Sequence, residues 1–364
     1  MGKQVLYIWY KYSQGILEGG GQGSLRNYRM VCRAVGEDRV DSLYIHDERK
    51  RKSLVTKLLA APLFLFGYYY GLSPRRVRKI VRQAADYDCV FIDRSLFGQI
   101  AKGLKHAGYQ GRIISFFHNF ERTYFDARLP RRLPFRWVVL RCAEANDRLC
   151  CRYSDKVVAL TKRDSDLLQA SFGRGADVLV PVSMPVVSLP PADLSVLTRK
   201  QPRCLFLGAY FQANNDAIRW FIREVLPHVD IHMQVVGRGM ARLQQECPEL
   251  RQVEVLSDVP DLQPLLLDAD LVILPVFAGS GMKVKTCESL SYGRNILGTD
   301  EAFAGYEIDD AKVGARCNTA EEFIAAIRAF SENPRPRFNR YSRELFLQRY
   351  SNEAVQPIFE DLLR

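Results

Sequence analysis

Short apolar runs alternate with longer helix-like segments along most of the chain, and this alternation is the strongest constraint on its fold. In the first half, the apolar runs occupy residues 4–10, 41–46, 88–93, 112–118 and 155–160. Runs of this length that are rich in β-branched and aromatic residues are typical of strands. Because strands that alternate with helices form parallel sheets from βαβ units, the first half is predicted to be an α/β domain.

A proline-rich interval from Pro181 to Pro202 interrupts this alternation. Proline disfavours helix and enforces extended backbone, so the interval is predicted to link two domains. After it the pattern restarts, with apolar runs at 203–208, 231–237, 253–257 and 271–276. The restart predicts a second α/β domain with its own parallel sheet.

The length of the chain also favours two domains, because 364 residues with 47% hydrophobic composition exceed one ordinary core. After Pro336 the sequence resembles one or two amphipathic helices and contains no further strand-like run. We predict an N-terminal Rossmann-like domain at 1–190 and a C-terminal Rossmann-like domain at 191–336. The helices at 337–364 are predicted to pack back on the N-terminal domain.

Positive charge is concentrated in the first half of the chain. Residues 1–195 hold 32 Lys and Arg against 18 Asp and Glu, whereas residues 196–364 hold 20 against 23. Such asymmetry indicates a negatively charged partner, such as nucleic acid, an anionic lipid or an acidic substrate, or else simply solvated basic side chains. Nucleic acid is not expected as a partner, because no recognised nucleic-acid-binding module appears.

The cysteines and the N-terminus favour a cytoplasmic location. The nine cysteines are scattered, odd in number and without a C-x-x-C pair, so their spacing predicts neither a disulfide framework nor a zinc site. The first ten residues, MGKQVLYIWY, are typical of a strand rather than a signal peptide.

The stretch AGSGMKVKTCESLSYG, residues 278–293, follows the last apolar run. In open α/β sheets, ligands bind beyond the carboxyl ends of the strands, where loops and helix N-termini present backbone N–H groups. Gly279 and Gly281 would let the backbone approach a phosphate, and Ser280 would serve as an N-cap or a phosphate donor. The stretch is therefore predicted to bind an anionic ligand.

A helix is predicted from about Met282 to Leu290. Lys283 and Lys285 lie at its N-terminus, which is unfavourable for positive charge unless an anion binds there. Glu288 follows Lys285 by about one helical turn, so the two side chains could share a helix face. The pair is interpreted either as part of a ligand site or as a surface ion pair.

A glycine-rich stretch at 13–27, with Gly19, Gly20, Gly21 and Gly23, follows the first predicted strand. It does not match G-x-G-x-x-G, so a nicotinamide cofactor is not expected. The stretch is predicted to be a loop that lets a sugar or phosphate approach, with a plain flexible turn as the alternative.

The sequence FFHNFERTYF at 116–125 ends a predicted strand with His118, followed by Asn119 and Glu121. A histidine at a strand end can be structural or catalytic. Its predicted position at the same sheet edge as the glycine stretch makes it a candidate for catalysis.

Residues 48–79 place the uncharged block Leu58–Pro74 between two basic clusters. The block has seventeen residues with two prolines and two glycines, which falls short of a membrane-spanning helix. It is interpreted either as an interfacial segment that enters lipid headgroups or as a buried helix with solvated basic ends.

Four stretches together resemble the retaining glycosyltransferases of family 4, which have the GT-B fold and include enzymes of bacterial surface-polysaccharide synthesis. The stretches are residues 206–227, 235–240 and 257–293, and the N-terminal pair GGGQGSLRN and HNFE. The resemblance covers most of the chain and is strongest in the second half. It implies two Rossmann-like parallel-sheet domains that face each other across a cleft.

The resemblance also implies a role for each candidate residue. The second domain would bind a nucleoside diphosphate sugar, with Glu288 on the ribose hydroxyls and Lys283, Lys285 and the 279–283 backbone on the diphosphate. The loop that begins at Gly208 corresponds to a diphosphate-binding loop of the family, but it lacks the arginine and lysine often found there.

Four further positions are carried over from the family into the first domain, which would bind the acceptor. His118 matches a residue that contacts the donor sugar, Gly20 and Gly21 match a loop near the reaction centre, and Glu121 is carried over beside His118. His118 and Glu121 are the predicted catalytic residues. Members commonly carry two glutamates separated by seven residues, and here Ser280 replaces the first of them.

The predicted activity is transfer of a sugar, with retention of configuration, to a hydroxyl of a saccharide or lipid-linked acceptor in surface-polysaccharide or glycolipid synthesis. No metal or other cofactor is expected, because basic residues can neutralise the leaving diphosphate. The enzyme would be cytoplasmic or peripheral at the inner face of the plasma membrane. The alternatives are a GT-B nucleotide-sugar epimerase and a non-catalytic basic protein that binds membranes or nucleic acid.

Overall fold

Two six-stranded parallel sheets organise the chain. The computed structural model describes residues 4–11, 19–47, 62–129, 132–191 and 196–364. The chain forms two compact units: unit 1 comprises Met1–Pro181 with Val355–Arg364, and unit 2 comprises Val182–Ala354. The domain boundaries predicted from the sequence stay predictions.

Unit 1 contains the first sheet, in the order β2-β1-β3-β4-β5-β6 with every pair parallel. Its strands are β1 (Val5–Lys11), β2 (Val40–Asp47), β3 (Cys89–Ile92), β4 (Arg112–Phe117), β5 (Lys156–Ala159) and β6 (Val178–Leu179). Every residue of β3 is buried, which is typical of a parallel strand covered by helices on both faces.

The helices of unit 1 follow the strands in the alternation that the sequence predicts. They are α1 (Gly19–Val35), α2 (Pro74–Gln83), α3 (Gly98–His106), α4 (Glu121–Arg128), α5 (Arg136–Tyr153) and α6 (Lys162–Phe172). Helix α2 begins with favourable capping chemistry, because the Ser73 hydroxyl accepts the Arg76 N–H at 3.3 Å and Pro74 needs no N–H partner.

Unit 2 contains the second sheet, in the order β12-β11-β10-β7-β8-β9, again with parallel pairs. Its strands are β7 (Arg203–Leu207), β8 (His232–Gly237), β9 (Glu254–Ser257), β10 (Leu271–Leu274), β11 (Asn295–Gly298) and β12 (Gly314–Arg316). The helices are α7 (Gln212–Glu224), α8 (Met240–Glu246), α9 (Gln263–Asp268), α10 (Val284–Ser291), α11 (Asp310–Val313), α12 (Ala320–Glu332) and α13 (Arg340–Leu345).

The core of unit 2 forms between its sheet and the covering helices. Phe206 on β7, Phe221 on α7 and Phe323 on α12 are buried together in this core. Full burial of each aromatic side chain contributes about 1.5–3 kcal/mol, so these three rings fix the helices against the sheet. Thr319 forms a capping box with Glu322 and thereby begins α12 at the right place.

The C-terminal tail is helical, as its amphipathic pattern predicts, and a five-residue π-helical turn at Phe346–Tyr350 separates α13 from α14 (Asn352–Leu363). Within unit 1, the Phe359 ring stacks on Phe91 with centroids 6.5 Å apart. The chain from Val355 onwards therefore adds apolar contacts to the core of unit 1.

The predicted fold class, two Rossmann-like parallel-sheet domains, is confirmed. All nine apolar runs singled out in the sequence form strands, with ends that shift by one or two residues. The three strands that the sequence reading missed, β6, β11 and β12, contain only two to four residues each. Strands β6 and β12 are too short to show a period, and β11 has only two apolar residues, which lie between asparagine and glycine.

The prediction that the glycine-rich stretch forms a loop is wrong for its described part. Residues 12–18 lie outside the described residues, but Gly20 and Gly21 belong to the first turn of helix α1 rather than to a loop. Glycine is a poor helix former, so tertiary packing overrides its propensity here. A Cβ atom at Gly23 would lie 3.3 Å from the His118 Nδ1 atom, which shows how closely the helix approaches its neighbours.

The segment between the basic clusters is described only from residue 62 onwards, so the cluster Arg49–Lys52 lies outside the described residues. Phe64 and Leu72 are buried in unit 1, whereas Leu65 and Phe66 are exposed. The buried side chains agree with the interpretation as a buried helix, and the exposed ones agree with the interpretation as an interfacial segment. No helix in the described part of the chain is long and apolar enough to cross a membrane.

Candidate functional site

In unit 2, the loop between β10 and α10 carries most of the predicted donor-binding residues. Gly281 has φ +61°, in the left-handed region that favours glycine, and helix α10 begins at Val284. Met282 anchors the loop, because its side chain is buried and its sulfur accepts the Val182 N–H at 3.2 Å. The loop therefore has a fixed shape at the N-terminus of a helix.

Lys283 holds this loop closed. Its ammonium lies 2.5 Å from the Glu301 carboxylate and also donates to the carbonyls of Ser280 and Gly281, both at 3.2 Å. The two charged side chains are 12% and 15% exposed, so the ion pair is largely shielded from water. A Cβ atom at Gly279 would lie 2.9 Å from the Lys283 Cε atom, so glycine leaves room for the lysine to fold back.

Lys285 lies within the first turn of α10 and is half-buried. Its ammonium donates to the Asn214 side-chain oxygen at 2.7 Å and lies 4.8 Å from the centre of the Phe206 ring. Burial, together with the charge of Lys283, lowers the pKa of Lys285 to about 7, against a smaller opposing effect of Glu288. No carboxylate in the described part of the chain forms an ion pair with this ammonium.

Glu288 lies one turn further along α10 and is also half-buried. Burial raises the pKa of Glu288 to about 7, although the nearby Lys285 partly opposes the shift. The surface ion pair considered for these two residues is not formed, because the Lys285 ammonium turns to Asn214. Each group is thus shifted toward its neutral form, which an oppositely charged or hydrogen-bonding ligand would reverse.

Asn214 is a site residue that the sequence reading missed. It lies near the N-terminus of α7, and its side-chain NH2 donates to the Ala209 carbonyl at 2.9 Å. This bond points the side-chain oxygen at Lys285. One feature of the sequence could have pointed to Asn214. The loop after β7 contains neither arginine nor lysine, and Lys285 of α10 reaches this loop instead.

Gly208 begins the same loop, at the end of β7, and packs very closely. A Cβ atom at the neighbouring Gly237 would lie 2.0 Å from the Gly208 carbonyl oxygen, and one at Gly208 would lie 3.0 Å from the Asn214 side chain. Both positions therefore need glycine for close backbone approach. This packing fixes where Asn214 stands.

In unit 1, His118 follows β4 and pairs with Asp93, which follows β3. The His118 Nε2 atom lies 3.2 Å from the Asp93 carboxylate and 3.1 Å from its backbone oxygen. Asn27 of α1 donates to the same carboxylate at 2.7 Å. Burial alone would raise the pKa of Asp93, but the charge and hydrogen bond of His118 and the bonds from Ser24 and Asn27 lower it overall.

The glycines of α1 let the helix approach this pair. Gly23 lies against the His118 ring, and a Cβ atom at Gly20 would lie 3.0 Å from the Arg94 guanidinium. A side chain at Gly20 would displace the Arg94 guanidinium, and one at Gly23 would displace the His118 ring. The glycines thus serve close packing of the helix N-terminus rather than a flexible loop.

Glu121 begins α4 and is completely buried. Its backbone N–H donates to the Asp147 carboxylate at 3.0 Å, but its own two carboxylate oxygens have no hydrogen-bond partner among the described residues. Burial raises the pKa of Glu121 to about 7, opposed by the charge of Arg94 and supported by Asp164. The pKa of Asp147 is also raised, by burial and by Glu121.

We expect Glu121 to make stability fall as pH rises. The unfolded carboxyl has a pKa of about 4.3, so between that value and about 7 the folded state binds more protons and loses stability with rising pH. Glu121→Gln removes this loss, which amounts to about 3 kcal/mol above pH 7. Thermal denaturation should show the variant gaining stability over the wild type between pH 5 and pH 8.

The exposed Glu37→Gln variant is the control, and its melting temperature should differ from the wild type by a similar amount at both pH values. A Glu121→Gln effect that is equally independent of pH would show that Glu121 titrates like a solvated carboxyl.

The large cavity of unit 1 lies elsewhere. It has a volume of about 830 Å³ and is lined by residues that include Tyr87, Tyr109 and Arg112, at the amino ends of β3 and β4. His118 lies at the carboxyl end of β4, the edge at which ligands bind in such sheets. Among the described residues, no group of three or more His, Cys, Asp or Glu side chains is placed to bind a metal ion.

The comparisons with known proteins agree with this architecture. A family model described as "Glycosyl transferases group 1" matches residues 201–333, within unit 2. HepE from Anabaena, solved in complex with UDP, has a TM-score of 0.69 and 14% identity, with 99% of each chain covered. No curated protein sequence matched the chain.

Two further solved structures share the fold. Sucrose-phosphate synthase from Thermosynechococcus elongatus has a TM-score of 0.72 and 12% identity, over 99% of this chain and 98% of that one. The lipopolysaccharide outer core galactosyltransferase WaaB has a TM-score of 0.63 and 12% identity over the same shares. The chain therefore has the GT-B fold, and the matches support a GT-B glycosyltransferase.

Proposed function

We propose that the protein transfers a sugar from a nucleoside diphosphate sugar to a hydroxyl of a saccharide or lipid-linked acceptor, with retention of configuration. The observation that carries the proposal is Lys285, held by Asn214 and Phe206 at the N-terminus of α10, with no carboxylate partner among the residues that the structure describes. A half-buried lysine with a lowered pKa has a strong preference for a bound anion, which would restore its charge.

The donor diphosphate would bind at the loop before α10. Backbone N–H groups and the positive end of the helix dipole attract phosphate, and Lys285 adds a positive charge at that end. Lys283 supports the site by holding the loop against Glu301, and a direct contact of Lys283 with phosphate stays a prediction. Glu288, one turn further on, would accept hydrogen bonds from the ribose hydroxyls.

The main catalytic task is to stabilise the departing diphosphate. Negative charge grows on the diphosphate as the bond to the sugar breaks, so fixed donors at its position lower the barrier. Lys285, the N–H groups of the loop and the helix N-terminus supply such donors. We assign the acceptor to unit 1, where the Asp93 carboxylate contacts the His118 ring and the Arg94 guanidinium lies beside Gly20.

A thermal-shift screen tests the proposed function. UDP, GDP and ADP should each be compared with the matching nucleoside, which lacks the diphosphate that Lys285 would bind. One diphosphate should raise the melting temperature, because a ligand that binds only the folded state stabilises it, and its nucleoside should have much less effect. If none of the three diphosphates stabilises the protein, the proposed donor site is wrong.

We expect activity to survive chelation. With Lys285 and backbone N–H groups neutralising the leaving diphosphate, the rate of nucleoside diphosphate release from the donor should be the same with and without EDTA. Release is measured with a coupled assay for the free nucleotide, and restoring Mg²⁺ after EDTA is the control. A rate that collapses in EDTA and recovers with Mg²⁺ would show that a metal shares the task.

A further inference from the structure

Unit 1 exposes a group of large apolar side chains on two neighbouring segments. Leu65 and Phe66 are 60% and 73% exposed, and Phe135 and Trp137 are 71% and 53% exposed. We call these four residues the aromatic patch. Exposed apolar residues are ordinary when scattered, but a contiguous patch of large ones marks a binding surface.

The two segments emerge side by side because the residues next to them share one small core. Phe64 packs against Val138 and Cys142, and all three are buried. Leu65 and Phe66 follow Phe64 directly, whereas Trp137 directly precedes Val138 and Phe135 lies three positions before it. The exposed side chains therefore leave the protein from the same small core.

Hydrogen bonds hold the turn that carries Phe66 in place. The Gln99 side chain of α3 donates to the Phe66 carbonyl at 3.1 Å, and the Asn146 side chain of α5 donates to the Gly67 carbonyl at 2.9 Å. On the other segment, Phe135 has φ +59°, a strained conformation for a bulky residue, and its ring points into solvent. The turn that carries Phe66 is thus held by hydrogen bonds to two helices.

Positive charge surrounds the patch. Residues 132–153 contain five arginines and two acidic residues, of which Asp147 is buried. Arg132 and Arg141 are exposed, and the Arg141 guanidinium lies 5.8 Å from the centre of the Trp137 ring. Arginine beside exposed Trp and Phe is suited to the headgroup layer of an anionic membrane, where rings enter the interface and cations meet lipid phosphates.

We propose that the aromatic patch inserts into the headgroup region of an anionic membrane and attaches unit 1 to it peripherally. The partner is an anionic lipid surface, because the basic surroundings complement its charge. The inference deepens the proposed function, since it would bring a lipid-linked acceptor to the enzyme. Membrane binding needs neither donor nor acceptor, so it can fail or succeed independently of the proposed sugar transfer.

Vesicle sedimentation with the full chain tests the proposal. The wild type should bind vesicles of 70% phosphatidylcholine and 30% phosphatidylglycerol more strongly than pure phosphatidylcholine vesicles. The triple variant Phe66→Ser, Phe135→Ser, Trp137→Ser should lose binding by about tenfold or more, since both aromatic segments leave the interface. Leu347→Ser, which removes an exposed apolar side chain of unit 2, is the matched control and should bind like the wild type.

Tryptophan quenching gives a second readout. Brominated lipids should quench the wild type but quench Trp137→Phe much less, because Trp9 is buried and Trp220 is half-buried. An unchanged melting temperature in the triple variant would show that it folds. Equal vesicle binding by the triple variant and the wild type, or no binding by the wild type, would overturn the proposal. So would a dimer of the wild type that the triple variant abolishes, because the patch would then bind a second copy.

Discussion

Replacing Lys285 by methionine should weaken UDP binding by about 10- to 150-fold. This range corresponds to the loss of one charged hydrogen bond, about 1.5–3 kcal/mol. Methionine keeps most of the length of lysine and can still contact the Phe206 ring, over which the Lys285 ammonium lies at 4.8 Å, so the variant removes the charge and little else. UDP is one of the three diphosphates of the thermal-shift screen, and GDP or ADP replaces it if the screen favours either. Isothermal titration calorimetry gives the dissociation constant.

Lys312→Met is the matched control for this variant. Lys312 also belongs to unit 2, but its side chain is 64% exposed, and its ammonium pairs with Asp309 and lies 5.7 Å from the centre of the Tyr341 ring. Its replacement should leave UDP binding unchanged. If Lys285→Met bound UDP as tightly as the Lys312 variant, the ammonium of Lys285 would have no part in the donor site.

Proton uptake on binding provides a more specific test of the same lysine. The pKa of Lys285 is about 7 without ligand, so at pH 8 most of the ammonium is deprotonated. A bound diphosphate favours the charged form, and binding at pH 8 should therefore take up a proton, while UDP itself is fully ionised. Calorimetry in two buffers of different ionisation enthalpy measures this uptake, and its absence would contradict the lowered pKa.

The fold could be predicted from the sequence because its signal is repeated many times. Five of the nine apolar runs, those of β1, β3, β5, β7 and β10, carry four or more consecutive apolar residues, and each run is followed by a helix-like segment, so single errors do not change the α/β assignment. Short strands escape this reasoning. Strand β11, Asn295–Gly298, begins with a polar residue and ends with glycine, and it is recognised only from its pairing with β10.

The candidate site was less predictable, because its contacts join residues that are distant in sequence. Lys285 and Asn214 are 71 positions apart, and His118 and Asp93 are 25 apart. The sequence indicated that residues after the strands would cluster at one sheet edge, but it could not specify which pairs would bond. Asp93 is the last residue of the predicted strand at 88–93, but it was not predicted as a site residue.

The glycines of α1 show a different limit of sequence reasoning. Four glycines within five positions predict a loop from local propensity, since glycine is costly inside a helix. The structure places them in a helix, in which a Cβ atom at Gly20 would lie 3.0 Å from the Arg94 guanidinium and one at Gly23 would lie 3.3 Å from the His118 ring, closer than most side chains approach. Their purpose depends on tertiary neighbours, which no local pattern reveals.

Replacing His118 by alanine should lower turnover of the donor by about 100- to 10,000-fold, the usual contribution of a group that assists at the reaction centre. UDP binding should change little, because the proposed nucleotide contacts all belong to unit 2. The readout is release of the nucleoside diphosphate from its donor sugar, together with calorimetry of the nucleoside diphosphate. His106→Ala, which removes an exposed histidine of unit 1, is the matched control and should retain full turnover.

A variant of Asp93 tests whether this residue positions His118 for the reaction or only stabilises the fold. Asp93→Asn keeps the size of the side chain and a carbonyl oxygen that can accept the Asn27 hydrogen bond, but it removes the negative charge that faces His118. If that charge orients the ring, the variant should lower turnover with UDP affinity unchanged. A variant that loses stability but keeps the turnover of the wild type would restrict Asp93 to holding the fold. Full turnover of His118→Ala would remove the pair from the reaction altogether.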